Sequence, residues 1–317
     1  MTNYFAPLLS RLSVLGLLLV LSFSCTNRDN TVADPKTITD QILEDKQFGI
    51  LRAAMTYAEA GDALKAANIT FFAPNDAAFQ NSGLTEAAIR SLPKEQVKNM
   101  LLYHVLYSPV SLSTIPTEVN TVQTASQGVA YLNNAGAGTV YINNAKVTQP
   151  DVKAANGVIH IIDHVLTPSS GSLLATIQSN STFTFLAAAL KRISTVNPSL
   201  IATLSNTTSA NPITIFAPTD DAFIASGYTS IASIEAISSQ TLSSLLTYHM
   251  LAGATFSYQF QSGSVNTLLT NNRLTLVVTN GVVVIKGNKN PTTAMIRKAD
   301  QPATNGVIHS IDQVLQP

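Results

Sequence analysis

Histidines are the residues best suited to chemistry in this 317-residue chain, and two of them lie four apart, His160 and His164, with Asp163 between them. Side chains an even number of positions apart on a strand share one face, so the pair suggests a divalent metal site. A metal would need a third ligand, yet none stands at a recognisable spacing, and the related segment further along carries His309 with Gln313. We therefore predict no metal and interpret His160 and His309 as hydrogen-bonded histidines on core strands.

Motifs for catalysis are absent from the sequence. It has no Gly-x-Ser-x-Gly elbow, no His-Glu-x-x-His and no phosphate-binding glycine loop. The single cysteine, Cys25, leaves no partner for an intrachain disulfide and no thiolate metal site. A hydrolase would need a nucleophile and a base within ~3 Å, and no pattern places a serine or threonine beside a histidine and an acid. We predict that the chain is not an enzyme and uses no cofactor.

The elements that position these residues occur twice. Thr70–Phe79 (TFFAPNDAAF) matches Thr214–Phe223 (TIFAPTDDAF), and Asn156–Pro168 (NGVIHIIDHVLTP) matches Asn305–Pro317 (NGVIHSIDQVLQP). The offsets are 144 and 149 residues, so the copies stay in register. A period this long indicates a duplicated domain, because solenoid repeats recur every ~20–50 residues.

A tyrosine–histidine pair lies between the matched segments of each copy, Tyr103-His104 and Tyr248-His249, 145 residues apart. Together the three segments resemble the fasciclin family, whose signatures read approximately Thr-x-Phe-Ala-Pro-x-x-x-Ala-Phe and Asn-Gly-Val-Ile-His-x-Ile-Asp-x-Val-Leu, with a Tyr-His pair between them. The resemblance implies an α+β fold of two tandem domains, each a wedge-shaped β-sandwich with packed α-helices. It also implies a role in extracellular adhesion, with no shared reaction or cofactor.

The resemblance makes Tyr103, His104, Tyr248 and His249 candidate binding residues, because the Tyr-His segment of some animal members is assigned to receptor binding. The flanking residues are aliphatic, and a continuous apolar helix end is usually buried. A structural role is therefore the competing interpretation. In that case we expect binding at surfaces where the copies differ, such as Asn133–Gly138 against Asn280-Gly281.

Local patterns predict the elements of each copy. The run Ile69–Ala73 predicts a strand, ended by Pro74, and Asn75 and its counterpart Thr219 are favourable helix N-caps. Residues 97, 101, 104 and 105 after Pro93 predict one buried helix face, residues 39, 42, 43, 48, 51 and 55 predict helices at the start of the first domain, and Asn280-Gly281 predicts a type I′ hairpin. The resulting domain plan is a signal peptide at 1–24, a flexible tether at 25–36, fasciclin-like domains at 37–168 and 173–317, and a linker at 169–172.

Charge argues against nucleic acid as a partner. Residues 37–168 hold 8 Lys and Arg against 11 Asp and Glu, and residues 169–317 hold 7 against 5, giving net charges of −3 and +2. Neither copy has the concentrated basic surface that nucleic-acid binding requires.

The N-terminus predicts export and a lipid anchor. Residues 12–21 form a ten-residue apolar run, too short to cross a bilayer as a helix, which takes about 20 residues. Ser22-Phe-Ser-Cys25 then resembles a bacterial lipobox, although Ser22 stands where that motif usually has leucine. We predict lipidation at Cys25 and a location in the cell envelope of a bacterium, at the outer membrane. An ordinary cleaved signal with a chance cysteine is the alternative.

These observations predict a lipid-anchored adhesion protein that binds an extracellular protein or polysaccharide non-covalently. A binding protein for a small hydrophobic or carbohydrate ligand is the alternative, and it would require a cleft of ~300–1,000 Å³ with a few convergent polar groups.

Overall fold

The computed structural model describes residues 35–208 and 210–317. The signal peptide, Cys25 and nearly all of the tether therefore lie outside the described residues. Repeat 1 (residues 37–168) and repeat 2 (residues 173–317) have the same element order. The helices of repeat 1 are α1 (Ile38–Glu44), α2 (Gly49–Ala58), α3 (Asp76–Asn81), α4 (Glu86–Ser91) and α5 (Lys94–Tyr103), and its strands are β1 (Ile69–Pro74), β2 (Val105–Leu106), β3 (Asn120–Gln123), β4 (Val129–Asn134), β5 (Val140–Ile142), β6 (Ala145–Ala154) and β7 (Gly157–Ile162).

Repeat 2 carries one more helix ahead of its first strand. Its helices are α6 (Leu173–Ser179), α7 (Thr184–Ile193), α8 (Pro198–Ser205), α9 (Asp220–Ala225), α10 (Ile231–Glu235) and α11 (Ser239–Tyr248), and its strands are β8 (Ile213–Pro218), β9 (Met250–Ala252), β10 (Gly263–Asn266), β11 (Arg273–Thr279), β12 (Val282–Lys286), β13 (Ala294–Ala303) and β14 (Gly306–Ile311).

Each repeat forms one seven-stranded sheet with identical topology. The strand orders are β2-β1-β7-β6-β5-β4-β3 and β9-β8-β14-β13-β12-β11-β10. The two signature segments form the single parallel pair in each sheet, β1 with β7 and β8 with β14. The long strand β6 changes register twice between Val147 and Val152, and such irregularities bend a sheet. The predicted α+β class is confirmed.

Two apolar layers lie on opposite faces of the central strands. Phe71 points into a core shared with helices α1, α2 and α5, whereas its neighbour Phe72 points into a core shared with strands β4, β5 and β6. Ile215 and Phe216 divide in the same way in repeat 2. The alternation follows from the two-residue period of a strand, and it makes each repeat a sandwich with helices on one side. Residues 35–317 form one compact unit.

The predicted helix face after Pro93 needs correction. Helix α5 ends at Tyr103, His104 is its C-cap, and Val105 already belongs to β2, paired with Phe71. Residues 97, 101, 104 and 105 are all buried, so the pattern located the core correctly but assigned too long a helix. Leu43, one of the residues whose spacing predicts helices at the start of the first domain, is 57% exposed.

The predicted hairpin is present in repeat 2. Asn280 and Gly281 join β11 to β12 with φ angles of 50° and 78°. Positive φ at both central positions is what a type I′ turn requires.

Candidate functional site

The Tyr-His segments lie inside the fold. His104 and His249 are each 1% exposed, and Tyr103 and Tyr248 are fully buried. Each histidine follows the last residue of a helix whose final carbonyl groups lack helical partners. The structure therefore places the four candidate binding residues where no partner reaches them in this conformation, and their role as an epitope stays a prediction.

Each histidine ring makes two hydrogen bonds to backbone groups. His104 Nδ1 lies 2.7 Å from the carbonyl oxygen of Met100, and its Nε2 lies 2.9 Å from the backbone nitrogen of Leu166. The amide must donate, so Nε2 accepts and the ring proton sits on Nδ1, which donates to the carbonyl. His249 repeats both bonds to Leu245 and Leu315, at 2.8 Å each. The ring thus joins the end of a helix to the segment after β7 or β14.

Burial sets the protonation state of this pair. Loss of hydration lowers the pKa of His104 to about 4, and the hydrogen bond to Met100 only partly opposes the shift. His249 has the same pKa of about 4 for the same reason. A proton on Nε2 would also face an N–H donor. Both rings are therefore held neutral at physiological pH and are poorly suited to exchange protons with a substrate.

The tyrosines of the segment anchor the outer half of the sheet. Tyr103 donates to the carbonyl of Val129 at 2.6 Å and accepts from the Asn143 amide at 3.1 Å. Tyr248 donates to the carbonyl of Arg273 at 2.8 Å. Burial raises the pKa of Tyr103 above its usual range. These hydroxyls are structural donors in both repeats.

The structure gives His160 and His164 different surroundings. His160 donates from Nε2 to the carbonyl of Val110 at 2.8 Å and accepts at Nδ1 from the backbone N–H of Asp151 at 3.1 Å. His164 lies beyond the end of β7 and contacts Asp163 at 2.9 Å. Among the residues the structure describes, no group of three or more metal-ligating side chains of the His, Cys, Asp or Glu type is assembled.

His309 matches His160 in repeat 2. Its Nε2 donates to the carbonyl of Thr255 at 2.9 Å, and its Nδ1 accepts from the backbone N–H of Asp300 at 3.2 Å. Burial lowers the pKa of both His160 and His309, with nearby Asp151 or Asp300 opposing the shift. The signature histidines of both copies thus use both ring nitrogens on backbone groups.

The polar residues of the first signature segment also make hydrogen bonds that stabilise the fold. Asn75 and Thr219 cap α3 and α9, as predicted, by accepting from Ala78 and Ala222. The following aspartate, Asp76, accepts from the backbone of Ile50 at 2.8 Å near the start of α2. Carboxylates are favourable at helix N-termini because they meet unpaired N–H groups.

Sequence reasoning missed the role of the Asn-Gly dipeptide that opens the second signature. Asn156 accepts from Ile38 at 2.9 Å and donates to the carbonyls of Leu64 and Ala66 at 2.7 and 3.0 Å. Asn305 makes the same three kinds of bond in repeat 2. A Cβ on Gly157 would lie 2.0 Å from the carbonyl oxygen of residue 69. The signal was available, since both residues are identical in the two copies.

An interface between the repeats was not foreseen either. Tyr131 of β4 is 1% exposed and donates to the carbonyl of Ala303 in repeat 2 at 2.9 Å. Its ring meets the edge of Phe256 at a centroid distance of 5.7 Å. Ala254 and Val307 complete this apolar cluster. The outer face of one sheet is therefore covered by the other repeat.

A second aromatic contact extends the interface. The rings of Tyr141 and Tyr258 stack with centroids 3.7 Å apart and an interplanar angle of 8°. The Tyr258 hydroxyl also accepts from the Asn133 side chain at 3.2 Å. Asn133 is only 5% exposed, so the first residue of the loop proposed for binding lies under repeat 2.

A cleft of about 660 Å³ lies beside this interface and is lined by both repeats. Repeat 1 contributes Asn81, Asn144 and His164, and repeat 2 contributes Ser179 and Gln301 among other polar groups. The Nε2 of Gln301 is buried without a hydrogen-bond partner. Neutral amides and hydroxyls are the most numerous polar groups of the walls, which also include Lys298 and Asp300, so the cleft can hydrogen-bond a neutral polar ligand.

A larger groove of about 1,100 Å³ opens on repeat 2 alone. Its walls include Asp221 and the ion pair of Arg297 with Asp312, whose closest atoms are 2.7 Å apart. No helix among the described residues is long and apolar enough to cross a membrane.

Comparison with known proteins follows the duplicated organisation. The sequence matches the Fasciclin domain over residues 46–168 and again over 175–317. Protein sll1483 of Synechocystis sp. is 36% identical over 158 residues, which cover 50% of this chain and 79% of that protein. A fasciclin-like arabinogalactan protein of Arthroderma benhamiae is 25% identical over 306 residues, covering 90% of this chain and 68% of that one.

Among solved structures, a FAS1 domain pair from the insect cell adhesion molecule Fasciclin I aligns with a TM-score of 0.40 and 21% identity. The alignment covers 84% of this chain and 96% of that chain.

Proposed function

We propose, on the premise that this chain belongs to the fasciclin family, that it is a lipid-anchored protein of the bacterial cell envelope, at the outer membrane. It would adhere non-covalently to a surface, matrix or extracellular polymer. Fasciclin domains are generally modules of adhesion or binding. The observation that carries the proposal is the use of all four signature histidines on backbone groups inside the fold. Binding is thereby left to the outer surfaces.

The anchor is supported by the sequence before the described residues. Cys25 closes an apolar segment too short to hold a membrane by itself. Each buried CH₂ of an attached lipid contributes ~0.8 kcal/mol, so several acyl chains hold firmly where one would not. Labelled palmitate should enter the wild-type chain and not Cys25→Ala, which should leave the membrane. Equal membrane retention of both proteins would remove the anchor from this proposal.

The cleft between the repeats is the adhesive surface that we favour for a polysaccharide. Its volume falls within the range of ligand sites, and its neutral side chains suit hydroxyl-rich chains. The same observation favours the second candidate function, capture of a small carbohydrate. An array of glycans and matrix proteins probed with residues 26–317 would separate the two, since a small ligand would bind as well alone as in a polymer.

A matched pair of variants tests the cleft. Ser179 and Ser205 each end a short helix, are exposed, and donate to the carbonyl three residues earlier. Only Ser179 lines the cleft. Ser179→Arg should fill part of the cleft and weaken binding to the array at least about tenfold, whereas Ser205→Arg should bind like wild type. Equal binding by both would place adhesion elsewhere on the surface.

A further inference from the structure

The cleft between the repeats has an open counterpart in repeat 2. The hydrogen bonds that recur in both repeats fix which residues are equivalent. Five residues of repeat 1 that line the cleft have equivalents that all line the open groove of repeat 2. The pairs are Asn81 with Ala225, Ser82 with Ser226, His164 with Gln313, Val165 with Val314, and Thr167 with Gln316. The surface of repeat 1 that faces repeat 2 across the cleft therefore has an equivalent surface on repeat 2 that faces no other repeat.

The opposite wall of the cleft also has an open counterpart, on repeat 1. The residues of repeat 2 in that wall again have equivalents that line one depression, of about 420 Å³. The pairs are Thr176 with Gln41, Ser179 with Glu44, Asn180 with Asp45, Lys298 with Gln149, and Gln301 with Val152. Each repeat thus has one open surface that is equivalent to a wall of the cleft. On repeat 2 this surface is the groove, and on repeat 1 it is the depression.

The outer face of the repeat 2 sheet is apolar and exposed, whereas the equivalent face of the repeat 1 sheet is covered by repeat 2. Val277, Val284 and Met295 are aligned across β11, β12 and β13. Val277 is 43% exposed, Met295 40%, and the nearby Val282 54%. These are three of the eight exposed large hydrophobic side chains within 35–208 and 210–317. Their equivalents in repeat 1 include Asn133 and Tyr141, which contact Tyr258 of repeat 2.

Repeat 1 leaves exposed a position that is buried in the internal interface. Pro109 is exposed, whereas its equivalent in repeat 2, Ala254, packs in the inter-repeat cluster. The net charges of −3 for repeat 1 and +2 for repeat 2 are opposite in sign, which favours encounter of one with the other.

We propose that repeat 2 of one chain receives repeat 1 of a second copy, head to tail, through the outer face of β11, β12 and β13 and the adjoining groove. The contact would repeat the geometry of the interface within the chain. A heterologous contact of this kind does not close on itself unless its rotation forms a ring, so it generates open filaments.

The contact between chains should be weaker than the one within a chain. Phe256 and Tyr258 of the internal interface have the equivalents Ser111 and Ser113 in repeat 1, so the two aromatic contacts are lost. Chains held on one surface reach high effective concentrations, where a weak contact is sufficient. Reversible chains of molecules would follow at the cell surface and not in dilute solution.

The test is analytical ultracentrifugation of residues 26–317, which contain the whole compact unit, from micromolar to near-millimolar concentration. The wild type should gain mass steadily, without levelling off at a dimer. A double variant, Val277→Asp with Met295→Asp, puts two carboxylates on the outer face of repeat 2, opposite a repeat of net charge −3. It should associate at least about tenfold more weakly. Pro109→Arg should do the same, because it puts a long charged side chain at the position where Ala254 packs in the internal interface. Val196→Asn changes an equally exposed valine, at 43%, and should behave like wild type.

Mixing distinguishes this arrangement from a symmetric one. The Pro109→Arg chain keeps an intact repeat 2 face, and the double variant keeps an intact repeat 1 face. Their mixture should form heterodimers that grow no further. A wild type that stays monomeric, or stops at a dimer, would overturn the proposal, as would a mixture that remains monomeric. Ultracentrifugation measures self-association without any polymer surface. The self-association proposal can therefore be wrong while the adhesion proposal is right, or the adhesion proposal wrong while self-association is observed.

Discussion

Replacing His104 by glutamine should remove a pH-dependent contribution to the free energy of unfolding of repeat 1. In the native state Nε2 accepts from the N–H of Leu166, so a proton there would put two donors face to face and bury a charge. Glutamine does not titrate and cannot make both bonds with ring geometry. We expect His104→Gln to lose ~1–3 kcal/mol of stability at neutral pH, because a buried group is left unsatisfied.

The sign of the pH effect follows from the direction of the shift. The pKa of His104 is about 4 in the folded state, below its ordinary value of 6.5, so the unfolded chain takes up its proton first as pH falls. The stabilisation is complete above pH 6.5 and is lost between pH 6.5 and 4. Linkage gives a loss of roughly 1 kcal/mol at pH 5.5 and roughly 2–3 kcal/mol at pH 4.5 from this one histidine.

The assay is urea unfolding followed by circular dichroism at pH 7.5, 5.5 and 4.5, for wild type and His104→Gln. Carboxylates titrate in both proteins, so the difference between their unfolding free energies isolates the histidine. The stability advantage of wild type should fall by the amounts above as pH falls, and it reverses where the loss exceeds its value at neutral pH. His249→Gln should show the same pH dependence in repeat 2, because that ring has the same pKa of about 4. A difference that stays constant from pH 7.5 to 4.5 would contradict this expectation, because the ring would then have the same protonation in the folded and unfolded states.

Three further substitutions probe the roles that the structure assigns. Gly157→Ala should destabilise repeat 1 by about 3 kcal/mol or more, since its Cβ would lie 2.0 Å from a carbonyl oxygen; thermal melting close to that of wild type would contradict this. Asn156→Ala should cost ~1–3 kcal/mol in urea unfolding, because three backbone groups lose their partner. Tyr131→Phe removes the inter-repeat hydrogen bond and should cost ~1 kcal/mol. It should also increase hydrogen exchange at the interface, which Tyr57→Phe, with its bond inside repeat 1, should leave unchanged.

The fold was largely predictable because the duplicated segments carry local information. Asn75 and Thr219 cap helices through their own side chains, and Asn280-Gly281 adopts the turn that its residues favour. The end of α5 was not predictable from periodicity. The apolar spacing continues into Val105, and only the pairing of β2 with β1 shows that the helix has already ended.

The surfaces between the repeats could not be predicted from either copy alone. Tyr131 and Phe256 lie 125 positions apart in sequence, and alternation on a strand does not reveal whether its outer face meets solvent or a neighbour. From the sequence, Asn133–Gly138 was predicted to be a surface loop that differs between the copies and could bind a partner. In the structure, Asn133 is buried against Tyr258. The predicted domain boundaries and the linker at 169–172 stay predictions.

Retention of cells under flow, on a surface coated with their own extracellular polymer, tests whether adhesion uses the cleft between the repeats and not the Tyr-His segment. The cells would carry the full chain as wild type, His104→Gln, Ser179→Arg or Cys25→Ala, at neutral pH and at a temperature where circular dichroism shows each variant folded. We expect wild type and His104→Gln to hold cells equally, whereas Ser179→Arg and Cys25→Ala should release them. A folded His104→Gln chain that releases cells while Ser179→Arg retains them would show that the Tyr-His segment is itself the binding epitope.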